Sequence, residues 1–281
     1  MLHHIGFIMD GNRRFSKKNN LDYSKGYEKG MLKFFEIIQW QVKENIKTTS
    51  FFALSLDNSK KRNVKELQII KDVISKLLEN PLFEDFCVNN GVHINIRGRY
   101  FKDNSINHTL LELDRRNSSY ENTKFADSLI KKKINNELNQ LGFQDEDELL
   151  NLVEEKIKEF ELKLFEKYKN PPFIVNIALF YDGIDEIVTT TQKIAQKVKN
   201  DELNIEDISA QTFFDLSYFS NTSPPEIIVR TGDAPRISGF MLTLSAYSEL
   251  YLTKQLWPEL EEEDLNQIIL WFNSIQRNFG K

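Results

Sequence analysis

An aspartate, an asparagine and two arginines follow a short apolar segment near the start of the chain. Residues 5–9 (IGFIM) are typical of a buried strand, and residues 10–14 (DGNRR) come directly after them. An Asp-Gly-Asn sequence favours a turn, and the residues that follow have a helical composition. Free N–H groups at the start of a helix attract anions, and a neighbouring carboxylate can hold a divalent cation. Taken alone, however, Asp-Gly-Asn is also a common turn.

Polar side chains follow two further predicted strands. Residues 48–55 (TTSFFALS) and 226–230 (EIIVR) have the β-branched and aromatic content of strands. In open parallel sheets, ligands bind beyond the carboxyl ends of the strands. We therefore expect the side chains that follow these strands to lie near residues 10–14. They are Ser55, Asp57, Asn58, Arg62, Arg230, Arg236 and Ser238.

Four or more arginines would then meet at one edge of an otherwise acidic protein. Guanidinium groups bind phosphate oxygens in a bidentate manner, and several together suit a diphosphate better than a single phosphate. One arginine alone more often forms a surface ion pair. Arginines after three strands favour a polyphosphate site instead. Positive neighbours also favour the charged form of Asp10, which could then hold Mg²⁺ against the phosphates.

The elements that must position these residues alternate between strand and helix. This alternation predicts the α/β class, with a mostly parallel six-stranded sheet flanked by helices. The section at about 104–170 is rich in Lys, Glu, Asn and Leu, which predicts a helical insertion of two long helices. We expect a single domain over residues 1–281, because no linker or repeat divides the chain. The six predicted strands are residues 5–9, 48–55, 92–96, 173–180, 226–230 and 249–253.

Composition and charge limit the classes of function. The 281 residues are 40% hydrophobic and 28% charged, which is ordinary for a globular protein, and the net charge of −5 argues against a nucleic-acid binder. Cys87 is the only cysteine, so we expect a core residue in a reducing compartment and no disulfide framework. Neither a transmembrane-length apolar run nor a signal-peptide core is present. We therefore expect a cytoplasmic protein, with peripheral contact to a membrane as an option.

These stretches together resemble the cis-prenyltransferases, the family of undecaprenyl and dehydrodolichyl diphosphate synthases. Residues 7–15 (FIMDGNRRF) are similar to the first family signature, and residues 52–58 (FALSLDN) are similar to the second. Residues 228–242 resemble the third signature, and residues 247–258 continue the match in the same order. The resemblance covers nearly the whole chain outside residues 104–170.

The resemblance implies a transferase that joins isopentenyl diphosphate to an allylic diphosphate, such as farnesyl diphosphate, to give a Z-polyprenyl diphosphate. It implies Mg²⁺ as the cofactor, with Asp10 as a catalytic residue and metal ligand and with Asn12, Ser55 and Asn58 beside the reacting atoms. Glu249 would complete the metal shell across the interface of a homodimer. The residues that would bind the two substrates are Gly11, Arg13, Arg14, Phe15, Arg62, Arg230, Arg236 and Ser238.

Several positions depart from the family pattern and leave alternatives open. Tyr23 and Tyr27 stand where the family usually has an arginine and a histidine that bind the allylic diphosphate, and Asn278 replaces an arginine near the C-terminus. One alternative is therefore a non-catalytic subunit of a heteromeric cis-prenyltransferase. Another is a phosphohydrolase with Asp10 as its nucleophile, although such sites usually need a carboxylate where Asn12 stands.

The segment of residues 59–62 (SKKR) carries one residue more than the family pattern. Lys61 and Arg62 are both candidates for the family's arginine in this segment. We prefer Arg62, because Glu66 then falls in register.

Overall fold

Six strands form one sheet in the computed structural model, which describes residues 2–62, 64–99 and 146–277. The strand order is β3-β4-β2-β1-β5-β6, and every neighbouring pair is parallel. The predicted α/β class is confirmed, and the sheet is entirely parallel. The strands are β1 (His4–Ile8), β2 (Thr48–Ser55), β3 (Val92–Arg97), β4 (Phe173–Tyr181), β5 (Ile227–Arg230) and β6 (Glu249–Leu252).

Helices connect these strands and cover both faces of the sheet. Within the described ranges, no helix has the length and apolar character needed to cross a bilayer. The α-helices are α1 (Asn12–Lys18), α2 (Tyr23–Lys43), α3 (Leu56–Lys61), α4 (Val64–Leu78), α5 (Pro81–Asn90), α6 (Glu146–Lys167), α7 (Gly183–Lys199), α8 (Ala210–Leu216) and α9 (Glu262–Ser274). Short 3-10 helices span Ile205–Asp207 and Trp257–Glu259.

Local capping explains two helices that the sequence pattern did not predict. Helix α3 lies in the polar segment after β2, where the Ser55 hydroxyl accepts a hydrogen bond from the Asn58 N–H at 3.0 Å and caps the helix. Helix α5 begins where the Asn80 side chain accepts a hydrogen bond from the backbone, with Pro81 in the first turn. Gly91 ends it with a φ of 68°.

The two faces of the sheet carry separate hydrophobic cores. Phe7 and Phe51 lie in the larger core, which includes residues from α2, α4, α5, α6 and α9. Ile8 and Phe52, one position further along the same strands, lie in the smaller core on the other face. Because both faces are covered, the strands are apolar without a clear alternation. Cys87 is buried in the larger core, as predicted, and burial raises the pKa of its thiol.

Helix α6 is an integral part of the larger core. It lies in the second half of the predicted insertion, and its helical conformation is confirmed. Ile157, Phe160 and Leu164 are buried at helical spacing, and the helix packs against α4, α5 and β3. Residues 100–145, including the expected junction between two long helices near residues 141–143, lie outside the described residues.

A polar row of five buried side chains crosses the sheet from β3 to β1. The His93 and Asn95 side chains share a hydrogen bond of 2.8 Å, and Asn95 donates to Asn176 at 3.3 Å. Asn176 donates to the Ser50 hydroxyl at 3.0 Å, and Ser50 and His4 share a hydrogen bond of 2.8 Å. Burial lowers the pKa of both histidines to about 4, so they are neutral members of the row at neutral pH.

Glu161 is a buried carboxylate on α6, outside the predicted site. Its exposure is only 5%, and burial raises its pKa to about 7, opposed by the positive charge of Arg97. Between the ordinary carboxyl pKa and this raised value, the folded protein binds more protons than the unfolded chain. The contribution of Glu161 to stability therefore falls as the pH rises through about 7.

Glu161→Gln is expected to stabilise the protein in a pH-dependent way. The neutral amide removes the unfavourable ionisation of the buried carboxyl, so the gain in free energy of unfolding should be about 2 kcal/mol larger at pH ~8 than at pH ~5. Denaturant unfolding at both pH values measures this difference. Glu159→Gln, on the same helix but half-exposed, is the control and should show no such dependence. Equal gains at the two pH values would contradict the prediction.

Candidate active site

The turn after β1 is tied to the end of β5. The Asp10 N–H donates to the Thr231 hydroxyl at 3.0 Å, and that hydroxyl donates to the Asp10 carbonyl at 2.7 Å. Gly11 follows with a φ of 122°, and a Cβ on it would lie 2.9 Å from Cβ of Leu256. Only glycine fits this position without strain. Helix α1 then begins at Asn12, so the turn brings the Asp10 carboxylate and the arginines of α1 to one edge of the sheet.

The Asp10 carboxylate lies between two guanidinium groups. Its Oδ1 is 3.0 Å from a terminal nitrogen of Arg14, one helical turn further on, and its Oδ2 is 3.0 Å from a terminal nitrogen of Arg230. The Asp10 side chain is 35% exposed, whereas that of Arg230 is 6% exposed. One carboxylate with two arginines leaves a local net positive charge, which favours an anionic ligand.

Arg230 is fixed by the loop that follows β5. One terminal nitrogen of its guanidinium donates to the Arg236 carbonyl and to the Ser238 hydroxyl, both at 2.7 Å. Desolvation lowers the pKa of Arg230, but a guanidinium remains charged at neutral pH. The buried cation is therefore held in one orientation before any ligand arrives.

A second carboxylate, Glu66, forms ion pairs with two more arginines. Glu66 lies in the first turn of α4, with Oε1 3.2 Å from Arg62 Nε and Oε2 3.6 Å from a terminal nitrogen of Arg13. The Tyr27 hydroxyl donates to Oε1 at 2.6 Å. Sequence reasoning used Glu66 only to set the register of Arg62. Its spacing four residues after Arg62 was the signal that could have placed it in the site.

These groups surround a polar cleft of about 670 Å³ at the carboxyl edge of the sheet. The cleft also includes Asp57, which was expected near residues 10–14, and Tyr27 and Asp182, which were not among the predicted site residues. Arg62 reaches the cleft, while the side chain of Lys61 lies outside the described residues. The predicted residues that line the cleft are Asp10, Gly11, Asn12, Arg13, Arg14, Ser55, Asn58, Arg62, Arg230, Arg236 and Ser238.

Phe15 and Glu249 are the two predicted residues that the chain does not bring into the cleft. Phe15 is half-buried on α1 and is not part of the cleft wall. Glu249 begins β6 and is in register, through β5, with Ile5. It therefore lies at the amino edge of the sheet, opposite Asp10, where its Oε1 is 3.7 Å from Arg277 Nε. A shared metal with Asp10 would require a second copy of the chain.

Asn12 presents a buried amide oxygen at the floor of the site. This Oδ1 has no hydrogen-bond partner among the described residues. This oxygen fits beside α2 because Gly30 has no side chain. A Cβ on Gly30 would lie 2.2 Å from the oxygen. An unpaired buried acceptor is costly, and only a hydrogen-bond donor or a cation could pair with this oxygen.

The donor set at Asp10 fits a magnesium ion that is shared with a ligand. Among the described residues, no group of three or more His, Cys, Asp or Glu side chains could hold a metal. Mg²⁺ is usually bound by one or two carboxylates together with substrate phosphates and water. Asp10 supplies one partly exposed carboxylate, and the arginines around it suit the phosphates that would supply the remaining oxygens.

An apolar cavity adjoins the polar cleft between the sheet, α2 and α4. The two share part of their walls, at Met9, Asn12, Tyr27 and Ala53. Its other lining residues are almost all apolar. They are Gly30, Met31, Phe34, Ile70, Val73, Ile74, Leu77, Leu78, Ile96, Ile177, Leu179 and Trp257.

Comparisons with known proteins agree with this arrangement. A Pyrobaculum aerophilum protein named tritrans,polycis-undecaprenyl-diphosphate synthase (geranylgeranyl-diphosphate specific) is 31% identical over 286 residues, which cover 99% of this chain and 95% of its own. A Picrophilus torridus protein of the same name is 26% identical over 278 residues, which cover 99% of this chain and 89% of its own.

A solved structure shares the fold. Lavandulyl diphosphate synthase from Lavandula x intermedia, in complex with dimethylallyl diphosphate, has a TM-score of 0.75 and 20% sequence identity, with coverage of 100% of this chain and 98% of its own. The family model of undecaprenyl diphosphate synthase matches residues 8–124 and 109–280, which include every residue of the cleft. The chain therefore belongs to the undecaprenyl diphosphate synthase family and is a cis-prenyltransferase.

Proposed function

We propose that this prenyltransferase uses geranylgeranyl diphosphate as its allylic substrate and extends it with isopentenyl diphosphate to a Z-polyprenyl diphosphate. The names of the curated relatives specify geranylgeranyl diphosphate, and farnesyl diphosphate, expected from the sequence, is the alternative. The observation that carries the proposal is the meeting of Asp10, Arg14 and Arg230 in one cleft, because this set suits a diphosphate leaving group.

The residues of the cleft support the steps of the reaction. The C1–O bond of the allylic diphosphate breaks, and the C3–C4 double bond of isopentenyl diphosphate forms the new bond from C4 to C1. A proton passes from C2 of the isopentenyl unit to an oxygen of the departing diphosphate, which leaves the new double bond between C2 and C3. Arg14 would donate hydrogen bonds to the departing allylic diphosphate, where negative charge develops, and Arg230 would hold the diphosphate of isopentenyl diphosphate beside it. Mg²⁺ held at Asp10 would stabilise the same charge. The orientation of Arg230 by Ser238 and the Arg236 carbonyl reduces reorganisation during the step.

The apolar cavity is the proposed place for the hydrocarbon chain. It lies beside the diphosphate cleft and has a volume of about 90 Å³, so an allylic diphosphate could lie with its polar end among the arginines and the first carbons of its chain between α2 and α4. Desolvation of such a chain is favourable in proportion to the apolar area that it buries. The polar cleft thus suits the diphosphate of the substrate, and the adjoining apolar cavity suits its hydrocarbon chain.

A homodimer and a metal ligand from the partner remain part of the proposal. Strand β6 is the edge of the sheet, and Tyr247, Leu250 and Leu252 on or beside it are 75%, 47% and 45% exposed. Exposed apolar residues at a sheet edge are typical of an interface. Glu249 starts this strand, so a second copy that packs there would bring Glu249 to the interface. We also propose a cytoplasmic location with peripheral membrane contact, since the product is a lipid.

An assay of the purified protein alone tests the proposal. The protein is incubated with Mg²⁺, labelled isopentenyl diphosphate and, separately, dimethylallyl, geranyl, farnesyl or geranylgeranyl diphosphate, and the chain lengths of the products are measured. We expect the highest kcat/KM with geranylgeranyl diphosphate. Failure of a folded homodimer to incorporate label with any of the four would refute the proposal and favour a supporting subunit that needs another chain.

A further inference from the structure

Glu66 is a buried carboxylate whose partners come from three different elements. Tyr27 lies on α2, Arg13 on α1 and Arg62 directly after α3, and all three contact the two carboxylate oxygens at 2.6 to 3.6 Å. Glu66 itself is 5% exposed. Its place in the first turn of the 15-residue helix α4 favours a negative charge there, because the helix dipole is positive at this end.

The arrangement suits support of the arginines better than direct contact with a substrate. A carboxylate repels a diphosphate, whereas Arg13 and Arg62 face the cleft and attract it. Glu66 contacts Arg62 through Nε and Arg13 through one terminal nitrogen, and each guanidinium has five N–H donors. Glu66 can therefore fix both arginines while other donors remain directed to a ligand.

Tyr27 contacts both Glu66 and Arg62. Its hydroxyl donates to Glu66, and its ring lies 5.9 Å from Cζ of Arg62, within the range of a cation–π contact. Burial raises the pKa of the Tyr27 hydroxyl, so the group stays a hydrogen-bond donor over the physiological range. The sequence resemblance places a substrate-binding histidine at this position. In this chain the side chain instead donates to Glu66.

We propose that Tyr27 and Glu66 are positioning residues that hold Arg13 and Arg62 for the diphosphate of the allylic substrate. This inference rests on the proposed function. Because the two arginines would contact the diphosphate before and during the reaction, Tyr27 and Glu66 set substrate binding and leave the chemical step almost unchanged. Tyr27 acts through Glu66, so the effects of losing the two groups overlap.

A double-mutant cycle with a binding readout tests this inference. The variants are Tyr27→Phe, Glu66→Gln and both together. Glu28→Gln is the matched control, since Glu28 is next to Tyr27 and pairs with Lys25 and Lys76 outside the cleft. Calorimetry measures the Kd of inorganic pyrophosphate, and steady-state kinetics measure kcat and KM for geranylgeranyl diphosphate.

We expect Kd and KM to rise about 5-fold in Tyr27→Phe and about 20-fold in Glu66→Gln, with kcat within about 2-fold of wild type. The double variant should match Glu66→Gln, and Glu28→Gln should match wild type. Additive losses would overturn the inference, because Tyr27 would then contact the substrate itself. Unchanged binding, or equal losses in Glu28→Gln, would overturn it too. If the Kd of pyrophosphate follows this pattern across the variants but the wild-type protein transfers no prenyl group, the proposed function alone is refuted.

Discussion

Asp10→Ala is expected to lower kcat/KM for prenyl transfer by at least about a thousand-fold. The variant removes the proposed metal ligand and the acceptor that orients Arg14 and Arg230. The free energy of unfolding should fall by only about 1–2 kcal/mol, because Arg230 keeps two other acceptors, the Arg236 carbonyl and the Ser238 hydroxyl. Steady-state kinetics with both substrates and denaturant unfolding measure the two quantities.

Two further variants separate charge from shape at this position. Asp10→Asn keeps the size of the side chain, and it should lose nearly as much activity because a neutral amide binds Mg²⁺ poorly. Asp233→Asn changes an exposed aspartate outside the cleft, at the same edge of the sheet, and should retain wild-type activity. A kcat/KM for Asp10→Ala within about ten-fold of wild type would rule out a central role for this carboxylate.

Arg230→Lys is expected to lower kcat/KM by about a hundred-fold, although the positive charge is kept. A lysine has one compact ammonium group, so it cannot donate in the fork geometry that links Arg230 to Asp10, Ser238 and the Arg236 carbonyl. Arg230→Ala should lose more, because the cleft then lacks the charge as well. Kinetics of the three proteins under identical Mg²⁺ concentrations give the comparison.

Arg99→Lys provides the matched control for the arginine chemistry. Arg99 forms an ion pair with Asp185 at 2.8 Å and does not line the cleft. Its kinetics should be unchanged. A wild-type kcat/KM in Arg230→Lys would show that the orientation of this guanidinium is not needed.

The positions after β1, β2 and β5 could be predicted from the sequence, because the carboxyl ends of parallel strands share one edge. Asp10, Ser55 and Arg230 needed only a correct assignment of strands to be placed together. The membership in a prenyltransferase family also favours transfer over the phosphohydrolase alternative. The helix caps of α3 and α5 could not be predicted, because one serine or asparagine is a weak signal for a helix. The polar or proline-containing composition of these segments is more typical of a loop.

Contacts between distant elements could not be predicted. Tyr27 and Glu66 are 39 positions apart, and only the packing of α2 against α4 brings them together. Asp182 is a helix cap by its local sequence, and its place in the cleft depends on the position of β4 in the sheet. Glu249 was a predicted site residue, but the register of β6 against β5 puts it at the amino edge of the sheet, away from the cleft.

The polar row across β3, β4, β2 and β1 has a consequence for how the chain folds. Its members come from residues 4 to 176, so the row is complete only when all four strands are in place. A strand displaced by one residue would turn its polar side chains to the opposite face. Each buried group left without a partner would then cost about 1–3 kcal/mol. The row thus disfavours misaligned intermediates and favours the native alignment of these four strands.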